Sequence, residues 1–401
     1  MASKDRVIVA GAGPVGLVAA TYLAKRDIPV TLVETEAKIG NELRASTVHP
    51  PTLDMMEEFG IAGDIVEQGL KAPTWQFRDL MSGPVATFDL GVLTEEDTNH
   101  PYRVQCEQWK ICHLLYDRIK EMPAADLRFG HTALGVEQDG DGVRLLVETA
   151  NGTESIDGRY VIAADGGRSA VRKSLDVDFE GFTYPEKFLV VSTPFRFEDV
   201  LPGLTYINYI SDPEEWLVLL RVRDFWRVLL PTDPEAAEDD LLSDETIQAR
   251  VRAVHDKGSD YEIVHKTLYP IHQRVAKQYR VGNAFLAGDS AHLNNPLGGM
   301  GMNGGIHDAM NLAEKIAAVW TGEAPESVLD DYGPQRRSVA IDDVKAQSMR
   351  NREILNETDP AARRKRLDEM RRTAEDPALA RPFLRQTSMI DSLERAAQIH
   401  A

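Results

Sequence analysis

The hydrophobic positions follow two different patterns along the chain. Arg6 to Ala10 reads RVIVA, an unbroken apolar and β-branched run, as expected of a strand buried on both faces. Leu17 to Arg26 is rich in alanine and leucine and predicts a helix. Val30 to Val33 (VTLV) predicts a second strand that ends at Glu34. With the turn at Gly11 to Gly16 between them, these segments form a βαβ unit of about thirty residues. Residues 183–231 behave differently, being rich in aromatic and β-branched residues. Tyr206 to Ile210, Trp216 to Val222 and Phe225 to Leu230 predict antiparallel strands with no crossover helices between them. Alternation puts Phe225, Arg227 and Leu229 on one face and Trp226 and Val228 on the other.

Between these regions the pattern predicts helices over Thr52 to Phe59 and Gln105 to Met122. A β-meander follows, with strands at Leu134 to Val136, Val143 to Val147 and Arg159 to Ala163. Its turns are Asp139-Gly140-Asp141-Gly142 and Asn151-Gly152. Residues 233–257 are acidic and helix-prone. Ala284 to Ala287 (AFLA) predicts another buried strand, followed by a Gly-rich loop and a helix from about Gly304 to Trp320. Residues 327–401 are charged and helical.

Composition narrows the function classes. The 401 residues are 43% hydrophobic and 27% charged, an ordinary globular balance. The net charge of −19 disfavours nucleic acid and anionic membrane as partners. An anionic ligand must then be held by local cations or by backbone N–H groups. Two cysteines, Cys106 and Cys112, make neither a disulfide scaffold nor a zinc-finger spacing, so no metal site is expected and a reducing cytoplasm fits. Val7 to Ala24 is uncharged and just long enough to span a bilayer. Its three glycines and Pro14 make strand, turn and helix the better reading. The basic run Arg363-Arg364-Lys365-Arg366 is interleaved downstream with acids and reads as a solvated helix face.

Three motifs carry chemistry. The first is GxGxxG, formed by Gly11, Gly13 and Gly16 with Pro14 and Val15 inside it. Such a turn lets a backbone approach a pyrophosphate, which the following helix N-terminus holds by N–H groups and dipole. Glu34, at the end of the next strand, is placed for a ribose diol. The second motif is Ala164-Asp165-Gly166-Gly167-Arg168, after a strand. The third is Gly288-Asp289-Ser290-Ala291-His292, running on through Pro296, Gly299, Gly301, Met302 and Asn303. An Asp at a strand end can bond a sugar hydroxyl, and a Gly-rich loop feeding a helix can present N–H groups to a negatively charged ring.

In this order the three motifs resemble the single-component FAD-dependent aromatic hydroxylases, the class A flavoprotein monooxygenases of the para-hydroxybenzoate hydroxylase superfamily. The resemblance covers roughly residues 5–345. It implies an α/β fold with a Rossmann-like FAD-binding domain, an antiparallel-sheet substrate domain and a helical C-terminal tail. The expected boundaries are 1–75, 100–180 and 275–345 for FAD, 76–99 and 181–274 for the substrate sheet, and 346–401 for the tail. It implies that Gly11, Gly13, Pro14, Val15 and Gly16 hold the pyrophosphate of FAD and Glu34 the ribose. Arg44 would lie near the diphosphate, and Gln105, opening a helix, beside the ribityl chain. Asp165 and Gly166 would form the second fingerprint. Gly288 and Asp289 would meet the ribityl hydroxyls, and Pro296 with Gly299, Gly301, Met302 and Asn303 would lie along the flavin ring. NADH or NADPH would visit as a transient reductant with no domain of its own.

The activity so implied is hydroxylation of a phenol or hydroxypyridine by dioxygen through a flavin hydroperoxide. The same fold also serves oxygenases of polycyclic or antibiotic substrates and hydroxylations coupled to decarboxylation or side-chain loss. His49 could relay a phenolic proton, or be a structural residue before Pro50-Pro51. Tyr209, Trp216, Arg221 and Arg227 are the candidate pocket residues, with sheet packing as the alternative for each. In para-hydroxybenzoate hydroxylase this region carries an arginine that pairs with the substrate carboxylate; this sequence departs from that pattern around Arg221 to Arg227, which argues against a plain hydroxybenzoate. A plain NAD-dependent dehydrogenase would bind no yellow cofactor and need neither the Asp165 nor the Asp289 motif, and a non-enzymatic binding module would be free of FAD and without oxidase activity. The expected state is a monomer or homodimer.

Overall fold

The computed structural model describes residues 5–140, 142–211, 216–355, 357 and 359–401. Asp141 of the predicted Asp139–Gly142 turn lies outside the described residues, as do residues 212–215 just before Trp216.

The first layer is a six-stranded sheet. Val7–Ala10 lies at its centre, parallel to Val30–Glu34 on one side and Tyr160–Ala163 on the other. Ala125–Phe129 and Ala284–Leu286 extend it in parallel, and Arg280–Val281 adds a short antiparallel edge. Val7 to Ala10 are wholly buried, which is what their unbroken apolar run requires. The helix Pro14–Ala24 starts three residues earlier than the alanine-rich pattern indicated, because proline is favoured in a first turn. It packs against Met300–Thr321 and Gln108–Ile119.

Several boundaries are corrected. Gln105 does not open a helix: it closes the strand Arg103–Gln105, and the helix is Gln108–Ile119 with Glu107 at its N-cap. The meander is Thr132–Gln138, Val143–Thr149 and Gly152–Gly158. Tyr160–Ala163 leaves it for the parallel sheet. The strand Gly152–Gly158 (GTESIDG) is polar because one of its edges and most of its side chains meet solvent. The long helix starts at Met300, four residues before the predicted start.

The second layer is an eight-stranded sheet. Phe179–Thr193 pairs antiparallel with both Trp226–Pro231 and His265–Ala276. Leu217–Arg221 lies between Trp226–Pro231 and Ile207–Ser211. One pairing is parallel: Ile207–Ser211 meets Thr74–Asp79, which forms a hairpin with Gly83–Asp89. Its outer face packs Leu217, Leu219, Trp226 and Val228 against the helix Asp244–Val254. Its inner face carries Trp75, Phe77, Tyr209, Val218, Leu229 and Ile271.

The C-terminal helices Pro360–Glu375, Pro377–Thr387 and Ile390–Ala396 close over the hairpin end of that inner face through Met370, Leu384 and Ile390. Arg363, the first residue of the basic run, is bonded to Asp79 and to the Ser211 carbonyl (2.8 Å). Asp97 is the main polar anchor: its buried carboxylate accepts from Arg381 Nε at 2.9 Å and from Arg385. Among the described residues, no helix is long and apolar enough to cross a membrane.

The Asp97 anchor has a pH signature. Its hydrogen bonds from Arg381, Thr94 and Arg385 outweigh burial and hold its carboxyl well below the usual range. A depressed folded-state value means stability present above the unfolded value of about 4 and lost as pH falls towards the folded one. Asp97→Asn is expected to cost about 2 kcal/mol at neutral pH, reduced from the fully buried case because both arginines are partly exposed. Urea unfolding of the two proteins checks this: their midpoints should converge as pH drops below about 4.

Candidate active site

Two cavities meet at the carboxyl ends of the parallel strands, where open α/β sheets bind ligands. The first, about 460 Å³, lies between the Gly11–Gly13 turn, Glu34, Lys38, Arg168 and Asp165. The second, about 400 Å³, lies between the loop Pro296–Met302 and the inner face of the eight-stranded sheet. Gly13, Arg44, Gln108, Ala164 and Gly166 line both, so they are two ends of one cleft.

The glycine turn is shaped by two separate constraints. Gly11 has φ +104°, and a Cβ on Gly16 would stand 1.9 Å from the Gly11 carbonyl oxygen. Gly16 therefore closes helix onto turn and does not line the cleft. A Cβ on Gly13 would meet nothing within 4 Å, yet Gly13 borders both cavities. The space beside it is free of protein and open to a ligand. Pro14 and Val15, on the first turn of the helix, line the second cavity.

Both oxygens of Glu34 accept backbone N–H groups, from Ala12 at 2.6 Å and Glu36 at 3.0 Å. This fixes the carboxylate at the cavity wall with lone pairs to spare. Asp165 Oδ2 accepts from Ala170 and Val171 N–H at 2.8 and 3.2 Å, capping the helix Ala170–Ser174, and burial pushes its carboxyl up. Asp289 is open to the second cavity and has no hydrogen-bond partner for its side chain among the described residues. The protein enclosing the cavity pushes that carboxyl up, opposed by His292 and Arg44. Arg44 stands at the junction of the cavities, 3.9 Å from Glu42 and with 66% of its side chain exposed.

The loop along the second cavity is held from behind. Gly299, with φ +68°, caps the helix Met300–Thr321, whose N-terminus faces the cavity through Gly301 and Met302. Asn303 does not line the cavity. It is wholly buried and ties the loop to the strand Thr47–Val48: its Oδ1 accepts from His49 N–H (2.9 Å), while its Nδ2 donates to the Thr47 and Gly299 carbonyls (2.9 and 2.6 Å). Gly288 is also behind the wall, where its N–H donates to Asp308 Oδ2 at 3.0 Å. Asp308 further binds His292 Nε2 (2.8 Å) and Arg336 Nε (2.7 Å). These two partners outweigh the burial of its carboxyl and lower it to about 2.

The remaining sequence candidates separate. Arg227, Leu220 and Leu229 line the second cavity from the sheet. Arg227 is engaged there with the Arg44 carbonyl, the Leu43 carbonyl (3.4 Å) and Tyr269 Oη (3.5 Å), so it fastens the Arg44 loop to the sheet. Arg221 does not line it. It pairs in register with Trp226 and lies on the outer face beside Glu198, 3.8 Å away. Trp216 is buried against Phe188 and lines neither cavity. Tyr209 faces a small separate void instead. His49 is wholly buried, and its Nε2 donates to the Gly298 carbonyl at 2.9 Å. Burial and the charge of Arg103 hold its pKa well below the usual value, so it is neutral and away from the cavity. Gln105 is buried against Ser46 and Thr47. Gln108 takes the place beside the cleft that was expected of it, three residues on. Tyr269 and His272, from the strand His265–Ala276, line the cavity and were missed. The alternation of Leu268, Tyr269 and Ile271 was the available signal.

The comparisons with known proteins agree with this geometry. Residues 4–347 match the family model described as "FAD binding domain". The chain belongs to this family. Its relatives place it among the class A FAD-dependent aromatic hydroxylases. It is 31% identical over 393 residues to a para-nitrophenol 4-monooxygenase of a Pseudomonas species, covering 96% of this chain and 95% of that one. It is 30% identical to a 6-hydroxy-3-succinoylpyridine 3-monooxygenase of Pseudomonas putida, covering 88% and 89%. The crystal structure of p-nitrophenol 4-monooxygenase from Pseudomonas putida superposes with a TM-score of 0.92 at 29% identity, covering 98% and 99%. The cofactor is therefore FAD. The unfilled side of Gly13 and the partnerless Asp289 carboxylate fit it, as a pyrophosphate and a polyol chain require.

The glycines separate two effects. Gly13→Val is expected to leave the unfolding midpoint near wild type and to weaken FAD binding by tenfold or more, about 1.4 kcal/mol. Gly16→Ala should lower both. Flavin retained after gel filtration, read alongside chemical unfolding, checks the difference.

Proposed function

We propose that this protein is an FAD-dependent monooxygenase that uses NAD(P)H and dioxygen to hydroxylate a single-ring phenol or hydroxypyridine. The observation that carries this is the second cavity. One wall is a Gly-rich loop at a helix N-terminus, and the other is a mainly apolar sheet face of Val190, Leu220, Leu229 and Ile271. At about 400 Å³ it must take both the flavin ring and the substrate. That favours one ring over a polycyclic skeleton. The full-length relatives, named for a nitrophenol and a hydroxypyridine, support the same class.

When bound, FAD supplies hydride acceptance and oxygen activation, chemistry that no side chain here can provide. The chain's residues do the rest. In this reading Glu34 and Asp165 hold the ribose end, Arg44 and Gln108 the diphosphate at the junction, and Asp289 the ribityl hydroxyls. Backbone N–H groups at Gly301 and Met302 favour negative charge on the ring side of the cavity. Pro296, Leu220 and Leu229 keep water from the reacting atoms. Tyr269 Oη, held by the Leu43 carbonyl at 3.4 Å, offers a polar contact on the sheet side.

Purified, FAD-loaded protein should oxidise NADH or NADPH faster by about tenfold or more when the right ring is present. The product should gain one atom from isotopically labelled dioxygen. A panel of phenols and hydroxypyridines, with product masses read out, checks this. Bound FAD with no stimulation by any member overturns the aromatic reading.

A further inference from the structure

A buried cation remains unexplained by the cofactor. Arg103 is 2% exposed, and no carboxylate lies within ion-pair distance of it among the described residues. Its Nη2 donates to the Thr387 carbonyl at 3.2 Å, and its Nε has no partner. The guanidinium lies 5.3 Å from the centre of the Trp75 ring and beside the Tyr209 phenol. A cation this deep without an anion is costly, and buried charges are normally paired. Arg103 borders a void of about 10 Å³, shared with Trp75, Phe77, Tyr209 and Gly298. That is room for one water-sized group. Gly298 lines the void and Gly299 the second cavity, so one stretch of loop serves both. His49, hydrogen-bonded to the Gly298 carbonyl, leaves its Nδ1 buried and unpartnered nearby.

We propose that this void is the closed end of the substrate pocket and that Arg103 is the counter-charge for the ionised oxygen of the substrate. The inference rests on the functional reading above. A ring held in the second cavity puts a substituent into the void. The Arg103 cation, with the rings of Trp75, Phe77 and Tyr209 and the amides of Gln347 and Asn351 around the same void, selects an anionic oxygen over a neutral group. The substrate enters as its phenolate, so its proton has already gone to solvent and no group in the void needs to accept it. Neutral His49 then holds the Gly298 carbonyl in place and is not a base. An ionised oxygen also makes the ring electron-rich, which is the condition for electrophilic oxygen transfer.

The test compares two ligands on FAD-loaded protein, read by the flavin absorbance change on titration: 4-nitrophenol at a pH where it is ionised, and 4-nitrotoluene, which has no ionisable group. Wild type should prefer the phenolate. Arg103→Gln should weaken the phenolate by about thirtyfold or more, as loss of a buried charge partner does, and the neutral ligand by less than about threefold. Arg103→Lys, which keeps a cation, should retain part of the preference, and it decides the matter if Arg103→Gln does not fold. Equal weakening of both ligands, or an unchanged preference in either variant, overturns the assignment. Wild-type protein that carries FAD but binds no ring at all overturns the functional reading, and this inference with it.

Discussion

The site depends on how closely two helices approach. Pro14–Ala24 and Met300–Thr321 come from opposite ends of the family-matched region, and their N-termini converge on one cleft. The contact leaves no room for a methyl group. A Cβ on Gly305 would lie 2.7 Å from a Val15 methyl and 3.1 Å from the Gly288 Cα. Close packing of this kind is rigid because any added volume must push backbone aside. The Asp308 carboxylate locks the same place, joining Gly288, His292 and Arg336 on one buried anion. Phosphate and flavin ends of the cofactor are thus referred to a common frame.

Much of this was legible in the sequence, for reasons that can be named. The RVIVA run, the glycine turn and the AFLA strand are local signals, and each forms the element it indicates. Face alternation over Phe225 to Leu230 puts Arg227 on the cavity side because strand parity is strict. The same parity, carried across the hairpin, puts Leu220 opposite Arg227 and sends Arg221 to the outer face. Register between strands is set by the turn, which a single strand does not reveal. Gln105 and Gln108 are three residues apart, and only the N-cap at Glu107 decides which one meets the cleft. His265–Ala276 was hidden by its polar and proline positions. The void at Arg103 joins residues near 75, 103, 209 and 298, which no local pattern connects.

The charge distribution explains how so acidic a chain can hold an anionic cofactor. Most cations are spent on surface and inter-helix pairs, as in Asp97 with Arg381 and Arg385. At the cleft, Arg44 reaches the junction of the cavities beside Glu42 at 3.9 Å, Arg168 and Arg227 line the walls, and Arg103 is sealed inside with no acid partner among the described residues. Local field at the cleft is then set by helix termini and these few side chains, while the net charge acts at long range.

The one parallel pairing in the second sheet has a consequence for biosynthesis. Thr74–Asp79 and its hairpin partner Gly83–Asp89 leave the ribosome long before Ile207–Ser211, the strand they join. At about 5–20 residues per second the delay is on the order of ten seconds. Throughout it, the rings of Trp75, Phe77 and Phe88 lack the partner strand that later covers one edge. The C-terminal helix carrying Leu384 arrives later still. The nascent chain therefore presents an aromatic hairpin without its partner strand, and slowing elongation prolongs that exposure.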